Sequence, residues 1–253
     1  MTLGALVSYH YYKKTDLDAL IAKGSLDVAG GVFADSGAFS AFTQRIAIDR
    51  NDYKAWVQRW RHLFTAYSNL DEIGRLDKTR HNQRWLEDAG LSPVPVFHVG
   101  EPWGELERLA DQYDYVAIGG MVPYLARKTM LMPWLVQAFK VANGKAKLHG
   151  FGATAWHVLH NLPWHTTDST TWRAGAQYGA QVIFARNRVF QTRAHLLPRY
   201  ASDLRALGFT VAQAIEATKG NADLSNQIAR ASLESYRDYL RRRHKTELQI
   251  YLG

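Results

Sequence analysis

Two aspartates in this sequence each follow a short run of apolar or small residues. Asp35 comes after Gly31–Ala34, and Asp168 comes after His165–Thr167. Where such a run enters a pocket, the carboxylate is partly desolvated and its pKa is shifted. Two carboxylates of this kind permit a double displacement at an anomeric carbon, in which one forms a covalent glycosyl intermediate and the other transfers the proton. Either aspartate alone is as consistent with a helix cap or a surface position.

The elements that must position these aspartates alternate between short apolar runs and amphipathic segments. Eight runs are predicted as strands, at Leu6–Tyr12, Gly31–Asp35, Tyr67–Ile73, Val94–His98, Tyr115–Ile118, Lys147–His149, His165–Asp168 and Gln181–Ala185. Seven segments between them are predicted as helices, at Leu17–Lys23, Arg50–Phe64, Thr79–Ala89, Trp103–Gln112, Lys128–Asn143, Thr154–Asn161 and Trp172–Tyr178. Eight strands in 253 residues are typical of an α/β (β/α)₈ TIM barrel, which we expect over residues 1–190.

The last part of the chain has a different pattern, without a clear strand–helix alternation. Helices are predicted at Thr192–Leu207, Thr210–Ala217 and Leu224–Lys245, followed by a weak strand signal at Leu248–Leu252. We expect residues 191–253 to form a short, basic, helical C-terminal extension packed on the barrel within a single domain. The densest basic run predicts contacts with a nucleic-acid backbone, although a solvated helix face is equally consistent with it. This run contains Arg241, Arg242, Arg243 and Lys245.

The active site of a (β/α)₈ barrel lies at the carboxyl-terminal ends of its strands. Acids, glycines, an aromatic ring and a thioether follow the predicted strands here, and this combination predicts a pocket for a flat polar ligand such as a purine. The candidate base-binding residues are Ser36, Gly37, Asp71, His98, Gly119, Gly120, Met121, Phe151 and Gly152.

Five segments in the same order resemble a known family. They are FADSGAFS, NLDEIGRLD, PVFHVGE, YVAIGGMVP with HGFG, and TTDSTTW, and they extend from about Phe33 to Ala185. They are similar to the tRNA-guanine transglycosylase superfamily, and more closely to its short DNA-modifying branch, the 7-deazaguanine DNA transglycosylases of phages. The resemblance implies exchange of guanine in DNA for a 7-deazaguanine such as 7-cyano-7-deazaguanine (preQ0), a modification that would protect DNA from restriction.

The resemblance also implies a role for each matching residue. Asp168 would be the nucleophile that attacks C1′ and expels guanine, and Asp35 the general acid and base, with Ser36 and Gly37 shaping its turn. Asp71 would bind the Watson–Crick edge of the base. The base pocket would be lined by His98, Gly119, Gly120 and Met121, with a stacking or lid surface from Phe151 and Gly152.

The sequence departs from the tRNA enzymes at several points. Ala38 and Ser40 replace the second glycine and the glutamine of their motif, and the chain has no cysteine, whereas their structural zinc site needs three. We therefore expect no zinc or other cofactor, and DNA rather than tRNA as the acceptor. A net charge of +8 is consistent with a phosphate-bearing partner. The trio His157, His160 and His165 has no acidic neighbour, which disfavours a metal site there.

Other classes of protein remain open or are disfavoured by the sequence. We expect a soluble, cytoplasmic protein without a membrane partner, because the sequence begins with no basic leader and has no run of about 18 apolar residues. The same exchange on tRNA is one alternative, and a glycoside hydrolase that uses the Asp35 and Asp168 pair is a second. The third is an inactive nucleic-acid-binding barrel, which the presence of both aspartates disfavours. A homodimer stays open beside a monomer.

Overall fold

A computed structural model describes residues 2–169, 172 and 179–253. Its centre is one sheet of eight parallel strands. These strands are β1 (Gly4–Ser8), β2 (Val32–Asp35), β3 (Ala66–Tyr67), β4 (Val96–His98), β5 (Tyr115–Gly119), β6 (Lys147–Gly150), β7 (Thr166–Ser169) and β10 (Gln249–Leu252). Their order across the sheet is β3-β2-β1-β10-β7-β6-β5-β4, so all their carboxyl ends lie at one edge.

Helices flank the sheet, except that the last three pack mainly against the segment Ala180–Ala185 and one another. They are α1 (Tyr9–Tyr12), α2 (Leu17–Ala22), α3 (Ala38–Gln44), α4 (Arg50–Trp60), α5 (Leu76–Asp88), α6 (Trp103–Gln112), α7 (Lys128–Ala142), α8 (Trp156–Leu159), α9 (Ala201–Ala206), α10 (Val211–Ala217) and α11 (Ala222–His244). Several helices begin where the side chain of the preceding residue caps them. The Asp49 carboxylate accepts hydrogen bonds from the first turn of α4, and Thr210 forms a capping box with Gln213 on α10.

The sheet is strongly curled. Phe33 of β2 stacks on His149 of β6 with ring centroids 4.2 Å apart, although β2 and β6 stand four places apart in the sheet. Residues from five strands share one buried cluster: Leu6, Phe33, Val94, Val96, Ala117 and Tyr251. Strands β3 and β4 share no ladder, and a single parallel bridge, Ser68 to Val94, connects the segments beside them. The fold is therefore a mixed α/β structure around a curled parallel sheet.

The predicted position of the eighth strand was wrong. Gln181–Ala185 does form a strand, β8 (Ala180–Ala185), but it pairs antiparallel with β9 (Arg188–Arg193) in a separate hairpin. The place between β7 and β1 belongs to β10, because tertiary pairing selects the later apolar run. A division of the chain at residue 190 therefore cuts through this sheet, and residues 191–253 contribute a strand as well as helices.

Some predicted boundaries also need correction. The first predicted strand ends at Ser8, and the residues after it form α1. The predicted strand at Tyr67–Ile73 is reduced to Ala66–Tyr67, and α3 was not predicted. The predicted helix Trp172–Tyr178 lies outside the described residues except for Trp172. Within the described part of the chain, no helix is long and apolar enough to cross a membrane.

Candidate active site

A cavity of about 480 Å³ opens at the carboxyl ends of the parallel strands, a size within the usual range of small-molecule sites. Parallel strands bring their last residues to one edge, so side chains far apart in the sequence meet here. Eight of the eleven predicted catalytic and base-binding residues line it: Asp35, Asp71, His98, Gly119, Gly120, Phe151, Gly152 and Asp168.

Asp35 ends β2 and is only partly accessible, through the cavity. Burial, together with the negative charges of Asp71 and Asp168, raises its pKa to about 7. A hydrogen bond from the Gly37 amide to Oδ2, 3.0 Å long, partly offsets this shift. The Asp35 carboxyl is therefore present in both protonation states near neutral pH, which is the condition that favours a general acid and base.

The turn after Asp35 is fixed by its own backbone and by Ser36. Gly37 has φ +75°, and a Cβ there would lie 2.4 Å from Cβ of His10, so glycine is required on both counts. Ser36 is fully buried, and its hydroxyl donates to Oδ1 of Asp71 over 3.1 Å. Ser36 and Gly37 do not line the cavity: they hold the aspartates that do.

A buried triad holds Asp71 in place. His98 Nε2 lies 2.8 Å from Asp71 Oδ2, and His98 Nδ1 lies 3.2 Å from Glu101 Oε1. Burial of His98 opposes its protonation, but the hydrogen bonds to Asp71 and Glu101 prevail and raise its pKa to about 10. His98 is therefore an imidazolium whose two nitrogens are both occupied, and it holds the Asp71 carboxylate in front of the cavity.

This triad predicts a pH-dependent contribution to stability. The folded-state pKa of His98 lies above its ordinary value of 6.5, so its stabilising effect is complete below about pH 6.5 and disappears as the pH rises through about 10. In urea denaturation, the stability difference between the wild type and His98→Gln should shrink by about 3 kcal/mol between pH 6.5 and 9.5. His81→Gln, at an exposed histidine, is the control and should show no such change. A difference that is constant with pH would contradict the imidazolium.

Asp168 lies near the carboxyl end of β7, at the same edge of the sheet as Asp35, and is 6% exposed. Its Oδ1 accepts a hydrogen bond of 2.9 Å from the amide of Gly152, which has φ +64°. Nε2 of the buried His149 lies 3.3 Å from the same oxygen. Among the described residues, none donates a hydrogen bond to Oδ2.

Close packing explains the glycines of the opposite wall. A Cβ on Gly119 would lie 3.0 Å from Cδ2 of His98, and Gly120 has φ +72°. Phe151 meets His149 edge to face at 4.6 Å and closes the floor of the cavity. Phe39 and Tyr11, which were not predicted as site residues, also line the cavity and are 40% and 64% exposed. The signal that could have found them is an aromatic residue in the short segment after a strand: Tyr11 lies on α1 after β1, and Phe39 on α3 after β2.

Two sets of predicted residues lie elsewhere. Met121 is fully buried in the main core cluster and does not line the cavity. The basic run near the end of α11 precedes β10, so it lies at the amino-terminal edge of the sheet, opposite the cavity. Arg241 there donates to the carbonyl of Leu248, and Arg243 to that of His160. Arg242 and Lys245 are exposed at the same edge.

Comparisons with known proteins add no relative. No protein-family model matches the sequence, and no curated protein matches it. Among the described residues, no group of three or more histidines, aspartates or glutamates has a geometry that could hold a metal ion. The case for a function therefore depends on the cavity and its three aspartates.

Proposed function

We propose that this chain is a transglycosylase that exchanges guanine in DNA for a 7-deazaguanine base such as 7-cyano-7-deazaguanine. The observation that carries the proposal is the asymmetry of two carboxylates in one cavity. Asp35 is half-protonated near pH 7, whereas one oxygen of Asp168 is anchored by the Gly152 amide and the other receives no hydrogen bond from the described residues. A double displacement at C1′ needs a proton carrier and a nucleophile with these two properties.

The reaction can be written with these residues alone. Oδ2 of Asp168 attacks C1′ of the deoxyribose, the C1′–N9 bond breaks, and Asp35 gives its proton to the departing guanine. The incoming base then loses a proton to Asp35, its N9 attacks C1′, and the bond from C1′ to Asp168 breaks. Each half-reaction inverts the anomeric carbon, so the product retains the original configuration.

Asp71 suits the recognition of a guanine-like base in this reaction. An ionised carboxylate accepts hydrogen bonds only, and the Watson–Crick edge of a guanine or 7-deazaguanine presents N1–H and N2–H donors. The imidazolium of His98 and the hydroxyl of Ser36 hold both oxygens of Asp71 in position. A base without these donors would leave a buried carboxylate unpaired, which is costly, and would be rejected.

The surface around the cavity supports a nucleic-acid acceptor. Loops and helix starts after β1, β2 and β5 carry exposed basic side chains: Lys13, Lys14, Arg45, Arg127 and Lys128. The same segments carry exposed apolar side chains: Tyr11, Phe39, Phe42, Ile46 and Val122. A nucleotide that is extruded from the duplex requires both kinds of surface, because cations bind its phosphates and apolar side chains contact the unstacked bases. We assign the backbone contacts to this rim, in place of the run at the end of α11.

We propose a (β/α)₈ barrel in which β10 is the eighth strand and the hairpin β8–β9 with α9–α11 is an insertion before it. Amide and carbonyl contacts between 67–69 and Val94 support closure between β3 and β4, as do the ring contacts across the interior. In such a barrel the active site is at the carboxyl ends of the strands, where the cavity lies.

The proposal predicts base exchange on DNA. Purified protein is incubated with duplex DNA carrying labelled guanine, with and without 7-cyano-7-deazaguanine, and the nucleosides are measured by mass spectrometry. We expect release of guanine with equimolar incorporation of the deazaguanine, and no incorporation into tRNA in a parallel reaction. Incorporation into tRNA alone would move the acceptor to RNA, and no exchange on either would refute the transglycosylase.

A further inference from the structure

His149 is a buried titratable group that the proposed reaction does not yet use. It lies on β6 with no exposed surface, stacked on Phe33 at 4.2 Å. Its Nε2 faces Oδ1 of Asp168 at 3.3 Å, and no residue in the described part of the chain makes a hydrogen bond of good geometry to that nitrogen. A buried polar atom aimed at the proposed nucleophile requires an explanation.

The other ring nitrogen of His149 is held by two hydroxyl groups in series. Nδ1 lies 2.7 Å from Oγ1 of Thr166, and that oxygen is also hydrogen-bonded to the hydroxyl of Tyr115. Burial raises the pKa of Tyr115, so its hydroxyl keeps its proton. If Tyr115 donates to Thr166, the single proton of the Thr166 hydroxyl is directed to Nδ1, which then accepts it.

The carboxylate of Asp168 decides between the two possible directions of the hydrogen bonds that join Tyr115, Thr166 and His149. If these hydrogen bonds run in the opposite direction in a neutral ring, Nδ1 of His149 carries the proton, and the lone pair of Nε2 faces Oδ1 of the Asp168 carboxylate at 3.3 Å. That arrangement is repulsive in a buried site, whereas an N–H at Nε2 is attracted to the same oxygen. The order Tyr115 to Thr166 to His149 therefore places a proton on Nε2.

We infer that His149 is a positioning residue for the nucleophile: its Nε2–H and the amide of Gly152 both hold Oδ1 of Asp168, so that Oδ2 faces C1′. This inference rests on the proposed function, because it assigns the nucleophilic oxygen of that reaction. Packing against Phe33 needs only a flat or apolar side chain. The hydroxyl groups of Thr166 and Tyr115, in contrast, have a use only if the side chain is an imidazole with a nitrogen facing them.

Three variants test the inference by single-turnover guanine release. His149→Met keeps the volume without a donor, His149→Gln keeps an N–H donor, and Thr166→Val removes the hydroxyl that orients the ring. We expect His149→Met to lower the rate constant about 30- to 100-fold and Thr166→Val about 10-fold, with KM for DNA changed less than about 3-fold. His149→Gln should restore the rate to within about 5-fold of the wild type. Equal losses in His149→Met and His149→Gln, or a loss carried by KM, would overturn the positioning role.

A second measurement does not depend on exchange. In the full chain labelled with ¹⁵N-histidine, the signals of His149 are identified by their absence in His149→Gln. We expect Nε2 to be protonated at pH 7 to 8 in the wild type, and this preference to weaken in Thr166→Val. An unprotonated Nε2 would overturn the inference. If the wild type exchanges no base, the proposed function fails, and this spectrum still decides where the proton lies.

Discussion

Asp168→Asn is expected to abolish guanine release from DNA while leaving the cavity intact. Asparagine keeps an oxygen that can accept the 2.9 Å hydrogen bond from the Gly152 amide, so the loop after β6 should stay in place. A neutral amide does not attack C1′. Removal of a nucleophile of this kind lowers turnover by about 10⁴-fold or more. Single-turnover release of labelled guanine, measured by mass spectrometry, checks the loss.

Trapping the covalent intermediate distinguishes loss of the nucleophile in Asp168→Asn from misfolding of the variant. Wild-type protein denatured during turnover should carry covalently attached DNA, visible as a shifted band on a denaturing gel, and Asp168→Asn should carry none. Binding of free 7-cyano-7-deazaguanine should change less than about 3-fold, because the proposed base contacts of Asp71 are unaltered. Asp111→Asn is a matched control, since Asp111 pairs with Lys145 on the outer surface and should leave the exchange unchanged. A covalent complex in Asp168→Asn would place the nucleophile elsewhere.

The three aspartates could be placed from the sequence because parallel strands make position predictable. Once Asp35, Asp71 and Asp168 are assigned to strand ends or to the loops directly after them, the rule that all carboxyl ends meet at one edge brings them together. Burial near other negative charges then predicts a perturbed pKa, and Asp35 has one. None of this requires knowledge of which strand pairs with which.

The eighth strand could not be placed in the same way. The run Gln181–Ala185 reads as a strand and Leu248–Leu252 gives only a weak strand signal, and their local pattern does not say which pairs with β1. The two-residue turn between β8 and β9 did carry a signal. Arg186 and Asn187 have φ of +50° and +63°, as in a type I′ turn, and asparagine tolerates this region. Arginine in place of the usual first residue hid the hairpin.

Charge density in a sequence does not reveal which edge of a sheet a segment reaches. The run at Arg241–Lys245 has the highest density, yet the direction of β10 puts it opposite the cavity. The pairing of His149 with Asp168 was equally hidden, because it depends on the register between β6 and β7, which sets His149 beside Thr166 and near Asp168. Contacts across strands set both outcomes, and local pattern does not encode them.

Asp35→Asn is expected to slow guanine release by about 10²- to 10⁴-fold, the usual contribution of a general acid. The asparagine oxygen can still accept from the Gly37 amide, which preserves the turn. In the wild type the pKa of Asp35 is raised to about 7, so the protonated fraction falls as the pH rises through 7, and the release rate should fall with it. Single-turnover rates from pH 5.5 to 9 should show this decline with rising pH in the wild type and not in Asp35→Asn.

The identity of the leaving base distinguishes acid catalysis from a disturbed cavity. N7-methylguanine leaves DNA as a neutral base without receiving a proton, so its release should be nearly equal in the wild type and Asp35→Asn. Stability gives a second control. Because the folded-state pKa of Asp35 is raised above its ordinary value of 3.8, the wild type loses stability as the pH rises from about 4 to 7. Asp35→Asn avoids that loss and should melt no lower than the wild type at pH 8. Equal slowing of both leaving bases would exclude Asp35 as the acid.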